Sequence, residues 1–557
     1  MPEQNIRNQD LAVKKQLNIW LPLVFSLVLV IGMLLGSRLT ESMGPKTQKK
    51  SNNILPVKEP GTLEELVRFI DARYVDDVDV QEISEDAIHH ILDQLDPHST
   101  YISSEKVAKV REQLNGSFVG VGIEFIMVDD TITVLKPSAE GPAFSAGILA
   151  GDQIITVNDS LIAGQGLESS DFMKLFRGER GTQAKVTVKR KSELLSFTIT
   201  RDEVKLPSLD VAYELEDGIG FIKLSRFSSE TSAEFIQALE RLVEQDQVKK
   251  LIIDLRDNPG GYLTEAVEIL SQLFSEKDRL LVFTEGEKST RLEYKTTGRP
   301  FYQIEEVAIL INENSASASE IIAGAIQDWD RGYIVGRRSF GKGLVQEEYS
   351  LRDGSALRLT IARYYTPSGR SIQKNYEAGE DRYNAEFDQR WSGGELFVAD
   401  SIKQVDSLAF ETPSGRLVYG GGGITPDYFI ALDSIILNDN YIALRPFVQE
   451  YAFRYFRENE TELDFDSAKD FAKNFNVSID MLDDFIAFAK EGGVNKIIEL
   501  NAETKKYFKS HLKSQIAFLK YNYEAQFTEI NGNDEFVIKA LQLLRDGTPI
   551  AKQESIN

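Results

Sequence analysis

From Ile19 to Gly36 the chain runs without a charged residue and almost wholly apolar. At ~1.5 Å rise per residue such a run can just cross a ~30 Å hydrocarbon core. Pro22 lies near one end, where a lost amide bond matters least, and Arg7, Lys14 and Lys15 precede the run. No A-x-A cleavage pattern and no lipidation cysteine follow, so the reading is an uncleaved anchor rather than a removed signal peptide. Arg38, Lys46, Lys49 and Lys50 nearly balance the flanking charge. The N-terminus is placed inside, because a long tail translocates regardless of nearby charge. Residues 1–60 are thus expected to be a cytoplasmic stub, an anchor at about 19–36 and a polar linker.

Beyond residue 60 the pattern changes period several times. Leu63, Leu66, Phe69 and Ile70 fall at helical spacing, as do Ile83, Ala87, Ile91 and Leu95, so residues 61–115 read as helical. Asp96-Pro97-His98-Ser99 stops the second helix, since the residue before proline avoids the α region. Residues 116–204 alternate instead: Thr131–Leu135 and Lys185–Lys189 read as strands and Gly151–Asn158 as a turn, a strand and another turn, with a short helical turn from Pro142 and an amphipathic helix carrying Phe172, Leu175 and Phe176. From 205 to 433 strands and helices take turns: Gly220–Leu224, Ala233–Gln245, Lys250–Leu255, Thr264–Phe274, Val307–Asn312 and Ala318–Asp328. That order predicts an α/β layer with largely parallel strands. Residues 375–400 read as a polar surface loop. Residues 434–557 return to helical spacing, with Phe447, Tyr451 and Tyr455 on one stripe and Leu512, Ile516, Leu519 and Tyr523 on another. These aromatics read as core.

Composition removes several chemistries. Net charge is −24 with no basic run, which excludes an ordinary nucleic-acid binder. There are no cysteines, so disulfides, thiol nucleophiles, iron–sulfur clusters and cysteine zinc sites are excluded. The four histidines are His89, His90, His98 and His511. No metal or cofactor is expected. His98, in its turn, reads first as a local hydrogen-bonding residue.

Two strand-to-helix junctions carry candidate chemistry, and α/β sites form at such junctions. One is Leu255-Arg256-Asp257-Asn258-Pro259-Gly260-Gly261, whose glycines let backbone amides face a cleft. The other is Asn314-Ser315-Ala316-Ser317-Ala318-Ser319-Glu320. A serine at a helix N-terminus feels the positive end of the dipole. An N-cap would account for one serine, not for three alternating with alanine. A serine nucleophile needs a base, and no histidine lies between residues 99 and 510. A lysine serves if burial lowers its pKa. The candidate is Lys342 in Ser339-Phe340-Gly341-Lys342-Gly343, which from the residues alone reads first as a surface turn lysine.

Two resemblances sharpen this. Residues 116–204, with A-G-I-L-A-G-D-Q-I-I-T-V-N-D and R-G-E-R-G-T, resemble a PDZ domain. That family binds the C-terminus of a polypeptide by strand addition, with loop amides on the carboxylate. The loop here would be Val119, Gly120, Val121, Gly122 and Ile123. The runs N-S-A-S-A-S-E-I-I-A-G-A-I-Q-D, I-V-G-R-R-S-F-G-K-G-L-V-Q, D-L-R-D-N-P-G-G, Y-Y-T-P-S-G-R and G-G-G-I-T-P-D resemble the C-terminal processing peptidases, in family order over about residues 61–433. So does the helical segment with Tyr74-Val75-Asp76 and Leu95-Asp96-Pro97-His98-Ser99. The resemblance implies Ser317 as nucleophile, Lys342 as general base and Gln346 as the group orienting it. It places the oxyanion hole at the amide of Ala318 and at a glycine, Gly260 or Gly261. It implies a PDZ domain beside a crotonase-like α/β core.

The expected architecture is therefore an anchor, a helical region (61–115), a PDZ-like β-rich domain (116–204), a serine protease core (205–433) and a C-terminal helical domain (434–557). The expected function is a serine endopeptidase on the inner membrane, facing the periplasm, that recognises free C-termini of protein substrates. The alternatives are a catalytically inactive PDZ scaffold and a Ser-Lys amidase acting on small molecules. Residues 434–557 lie outside the resemblance and are expected to serve homo-oligomerisation or substrate delivery.

Overall fold

The computed structural model describes residues 61–377, 379–402, 408–494 and 499–547. The expected anchor and linker lie outside the described residues. Among the described residues no helix is long and apolar enough to cross a membrane. The protein divides into two compact units between Glu85 and Asp86. The described part of the first holds the helix Thr62–Arg73, none of whose residues is buried, and the start of the helix Val80–Leu92. In the second unit the predicted stripe is only half right: Ile91 and Leu95 are exposed, and Leu92 is the buried residue of its helix.

Within the second unit the region up to 115 is not helical throughout. After the Asp96–Ser99 turn the backbone forms a short strand, Thr100–Ile102, then the helix Ser104–Asn115. Residues 123–200 make the β-rich module. Its strands Ile123–Val128, Thr131–Pro137, Gln153–Val157, Gln183–Arg190 and Glu193–Thr200 pair in that order, all antiparallel. The strand Ile123–Val128 is thus a sheet edge. Its alternation separates two faces. Ile123, Phe125 and Met127 pack on the module's core with Phe172 and Phe176, while Ile126 and Val128 pack on Phe453 of the helical region.

The central sheet has six strands in the order Leu209–Glu216, Ile219–Leu224, Lys250–Asp254, Glu306–Ile311, Gly332–Gly336 and Tyr428–Phe429. The first pair is antiparallel; the others are parallel. Its middle strands are buried on both faces, which is why they read as continuous apolar runs. One face carries the helices Thr231–Glu244, Leu263–Leu273 and Ala318–Asp328. The first of these buries Phe235, Leu239 and Leu242, at helical spacing. A second, antiparallel sheet, absent from the expected parallel layer, is built on the long strand Ala356–Tyr365. Leu344–Ser350 pairs along one edge, and Thr100–Ile102 and Lys277–Gly286 pair along the other, the latter in a hairpin with Ser289–Thr297.

Residues 375–400 are not a surface loop. They hold the helices Glu380–Asn384 and Glu386–Ser392, with Tyr383 and Arg390 buried. The polar composition reflects buried pairing: Arg390 donates to Glu395 at 2.9 Å and to the Ser339 carbonyl at 3.1 Å.

The last region is helical as expected. Among the described residues six of its α-helices open on a residue whose side chain accepts from the first turn's N–H groups, namely Asn438, Ser467, Ser478, Asn501, Asn522 and Asp534. Tyr451, Leu512 and Ile516 are core residues, but the second stripe breaks at Lys520, and Tyr523 begins a new helix. The final helix, Glu535–Asp546, leaves this cluster. Phe536, Val537, Ala540, Leu543 and Leu544 cover the second face of the central sheet.

Candidate active site

The two junction loops meet in a cleft of about 760 Å³ lined by Gly260, Gly261, Ser317, Lys342, Gln346, Arg358 and Tyr364, and by Val110, Gln113 and Leu114 of the helix Ser104–Asn115. None of the four histidines lines it.

Ser317 is the N-cap of the helix Ala318–Asp328 and sits at φ 55, ψ −113. That conformation is strained for any residue with a Cβ, at a cost of roughly 1–3 kcal/mol. It puts the serine on a sharp strand-to-helix turn at the positive end of the helix. The neighbouring serines do different work. Ser315 Oγ accepts from the Asn312 amide at 2.9 Å and donates to the Leu255 carbonyl at 2.8 Å. Ser319 Oγ donates to the Asn258 carbonyl at 3.0 Å. Both are fully buried. The outer serines stitch one junction loop to the other, and only the middle one lines the cleft. The alternation with alanine follows, because the loops approach too closely for larger side chains.

The glycine loop lies directly on this turn. A Cβ on Gly260 would stand 2.6 Å from the Ala316 carbonyl oxygen and 2.8 Å from the Ala318 nitrogen. The Gly260 amide donates to Asn258 Oδ1 at 2.9 Å. Among the described residues the amides of Gly261 and Ala318 have no acceptor within the protein; for Ala318, at the first helical position, this is expected.

Lys342 is held from several sides. Its Nζ donates to Gln346 Oε1 at 2.9 Å, and Gln346 Nε2 in turn donates to the His98 carbonyl. Burial, and secondarily the positive charge of Arg358, lowers the Lys342 pKa, while Asp96 and Glu320 oppose this. His98 contributes its backbone to the site. Its ring is hydrogen-bonded to the Tyr383 hydroxyl at 2.6 Å and is pushed down to about 4, chiefly by burial, so it is neutral at pH 7. The turn itself is made by Asp96, whose carboxylate accepts from the amides of His98 and Ser99 at 2.9 and 3.0 Å and from Thr360 Oγ1 at 2.9 Å.

Two residues to which the sequence analysis gave no role join the serine to the lysine. Glu320, fully buried, accepts from the amides of Ser317, Gly341 and Lys342 at 2.9, 2.7 and 2.9 Å, and from the Ser339 hydroxyl. Burial pushes its carboxyl up to about 7, against the pull of those four donors. The Tyr364 hydroxyl is shared between the carbonyls of Ser317, at 3.1 Å, and Lys342. Glu320 had a readable signal, since Ser317-x-x-Glu320 has capping-box spacing. Tyr364 had none. Glu320→Ala would leave four donors without an acceptor and should cost about 3 kcal/mol or more of stability. A lowered urea midpoint together with reduced turnover is the expected result; an unchanged midpoint would contradict the tie.

The expected peptide-binding loop is shorter than anticipated. Val119 and Gly120 lie in the strand Ser117–Gly120, paired with Asp202–Lys205, so only Val121 and Gly122 precede the edge strand as loop. Their carbonyls accept from the amides of Ala143 and Ser138 at 2.8 and 3.0 Å. A trans peptide then turns the Gly122 N–H away from Ala143. Val121, Phe172 and Phe176 are buried in the module's core; Ile123, at the start of the edge strand, is part-exposed. Glu112 of the cleft-lining helix pairs with Arg177 at the end of the module's helix.

This architecture, a PDZ-type module beside an α/β core with a serine and a half-buried lysine in one cleft, defines a class, and comparison with known proteins agrees. Peptidase family S41 matches residues 218–379, the PDZ domain family matches 119–200, and a family of unknown function matches 440–522. The protein is 38% identical over 336 residues to the carboxy-terminal-processing protease of Bartonella bacilliformis, a match spanning 58% of its own length and 76% of the relative's. It is 34% identical over 313 residues to a probable CtpA-like serine protease of Staphylococcus aureus, spanning 56% of its own length and 62% of the relative's. Among solved structures, the photosystem II D1 C-terminal processing protease is 31% identical; the match spans 55% of this protein and 83% of that one, with a TM-score of 0.32. The protein belongs to peptidase family S41, among the carboxy-terminal-processing serine proteases.

Proposed function

We propose that this peptidase is a membrane-anchored endopeptidase, facing the periplasm, that takes protein substrates by their free C-termini and cuts them with Ser317. The observation that carries the catalytic part is the tie between Ser317 and Lys342: one carboxylate, Glu320, accepts from the backbone of both. The anchor and its orientation rest on the apolar run Ile19–Gly36 alone.

In the proposed mechanism neutral Lys342 accepts the Ser317 hydroxyl proton as Oγ attacks the scissile carbonyl. The oxyanion is received by the amide of Ala318 and by that of Gly261 rather than Gly260, whose N–H is already engaged by Asn258. The lysine, now an ammonium, protonates the leaving amine. It then deprotonates a water that hydrolyses the acyl-enzyme. Gln346 holds the lysine's direction between these transfers.

The PDZ domain offers an unpaired sheet edge, Ile123–Val128, to which an extended tail can add as a strand. Binding there raises the effective concentration of the scissile bond, so the effect belongs to low substrate. The test compares one unfolded substrate ending in a free apolar residue, in an amide and in Asp-Asp. At subsaturating concentration the free apolar tail should be cut fastest. Equal rates for all three would overturn C-terminal recognition.

A further inference from the structure

We infer that Asp534, in the C-terminal region, is a positioning residue for catalysis that holds the oxyanion-hole loop through Arg256. The inference rests on the role given above to the loop 255–261.

Arg256 follows the strand Lys250–Asp254 and stands at the root of that loop. Its Nε and Nη2 donate to the two oxygens of Asp254 at 2.9 and 2.7 Å. Its Nη1 donates to Asp534 Oδ2 at 2.7 Å. Lys223 also reaches Asp254, at 3.3 Å, and its Nζ lies 3.3 Å from the Arg256 carbonyl. Without Asp534, two cations would share a single, fully buried carboxylate. Asp534 supplies the second negative charge, and a guanidinium held by two carboxylates has no freedom to turn.

The two oxygens of Asp534 divide the work. Oδ1 caps the last helix, accepting from the amides of Phe536 and Val537 at 2.9 and 3.4 Å, and Oδ2 serves Arg256. Phe536, two residues on, lies under two guanidiniums, that of Arg256 at 4.6 Å and that of Arg337 at 5.2 Å. Arg337 pairs with Glu313 at 2.7 and 3.1 Å. Glu313 opens the turn that leads to Ser317, and Arg337 leads to Lys342. The start of this helix therefore touches the roots of two of the loops around the cleft, at Arg256 and Arg337, and reaches a third, at Glu313, through Arg337. The rest of the helix is fixed to the sheet by Val537, Ala540, Leu543 and Leu544. Asp534 belongs to the C-terminal region, not to the segment matched by the peptidase family, so the support of the catalytic loops is supplied from outside that segment.

The division of labour makes the test selective. Serine, aspartate and asparagine all cap helices well. Asp534→Ser keeps a capping oxygen and removes the one that serves Arg256; Asp534→Asn keeps the cap and turns an amide N–H₂ toward the guanidinium. Both should lower kcat roughly 10- to 100-fold with KM within about twofold, as loop misplacement does, in variants that remain folded at the assay temperature. Arg256→Met should lower kcat as well, and adding Asp534→Ser to it should lower it no further. If Asp534→Ser fails to fold, Asp534→Asn carries the same criterion. Parental kcat in the folded variants, or losses that multiply in the double variant, would overturn the inference. Ser317→Ala, measured alongside, separates this from the catalytic reading: retained hydrolysis there would overturn that reading instead.

Discussion

Ser317→Ala should abolish peptide-bond hydrolysis, with a loss of at least roughly a thousandfold, and leave the fold intact. The substitution removes one hydroxyl from the cleft wall and no hydrogen bond that ties the two junction loops together. Ser315→Ala and Ser319→Ala act differently. Each removes one of the two donors to a buried carbonyl, that of Leu255 in one case and of Asn258 in the other. Those variants should lose about 1–3 kcal/mol of stability and a smaller share of activity, through displacement of the glycine loop. Denaturation midpoints and turnover of the three variants therefore separate in opposite orders. Equal activity losses in all three would mean that the nucleophile had been misassigned.

Lys342→Arg should be as inactive as the serine variant, because a guanidinium keeps its proton at any working pH. The same argument fixes the sign of the pH dependence. The lysine acts as base only when neutral, so activity rises with pH through its lowered pKa. Arg358 contributes to that lowering, and Arg358→Met should move the rise to higher pH. Glu320 adds to the rise of activity with pH by a separate route, although its charge opposes the lowering of the Lys342 pKa. Its ionised form accepts from the four donors around it, and protonation below about 7 weakens that set. Initial rates of parent and Arg358→Met across pH test this, with a shift to lower pH as the contradicting result.

Legibility in the sequence depended on what each residue faces. The parallel strands were readable because both their faces are buried, and the helix Ala318–Asp328 because small residues precede it and its apolar run is unbroken. The hairpin Lys277–Thr297 was not: Ser289–Thr297 is exposed at most positions and shows no alternation. The final helix read as one more piece of a helical domain, since an apolar stripe does not say which surface it will cover; here it covers the central sheet. At the site, the reacting groups stood in recognisable motifs. The groups that hold them, Asp96, Glu320 and Tyr364, stood in the same motifs, but their roles were not readable, because each reaches a residue distant in sequence: Asp96 reaches Thr360, Glu320 reaches Gly341 and Tyr364 reaches Ser317. Gly260 and Gly261 are equivalent in the sequence; the Gly260 amide is engaged by Asn258, which is the ground for proposing Gly261.

The central claim is that Ser317 is the nucleophile and that a neutral Lys342 activates it. Labelling with a fluorophosphonate, followed by mass spectrometry of the modified peptide, tests it most directly. The account predicts a single adduct on Ser317, formed faster as pH rises, and absent from Lys342→Arg over the same interval. An adduct on another serine, or undiminished labelling of Ser317 in Lys342→Arg, would contradict it.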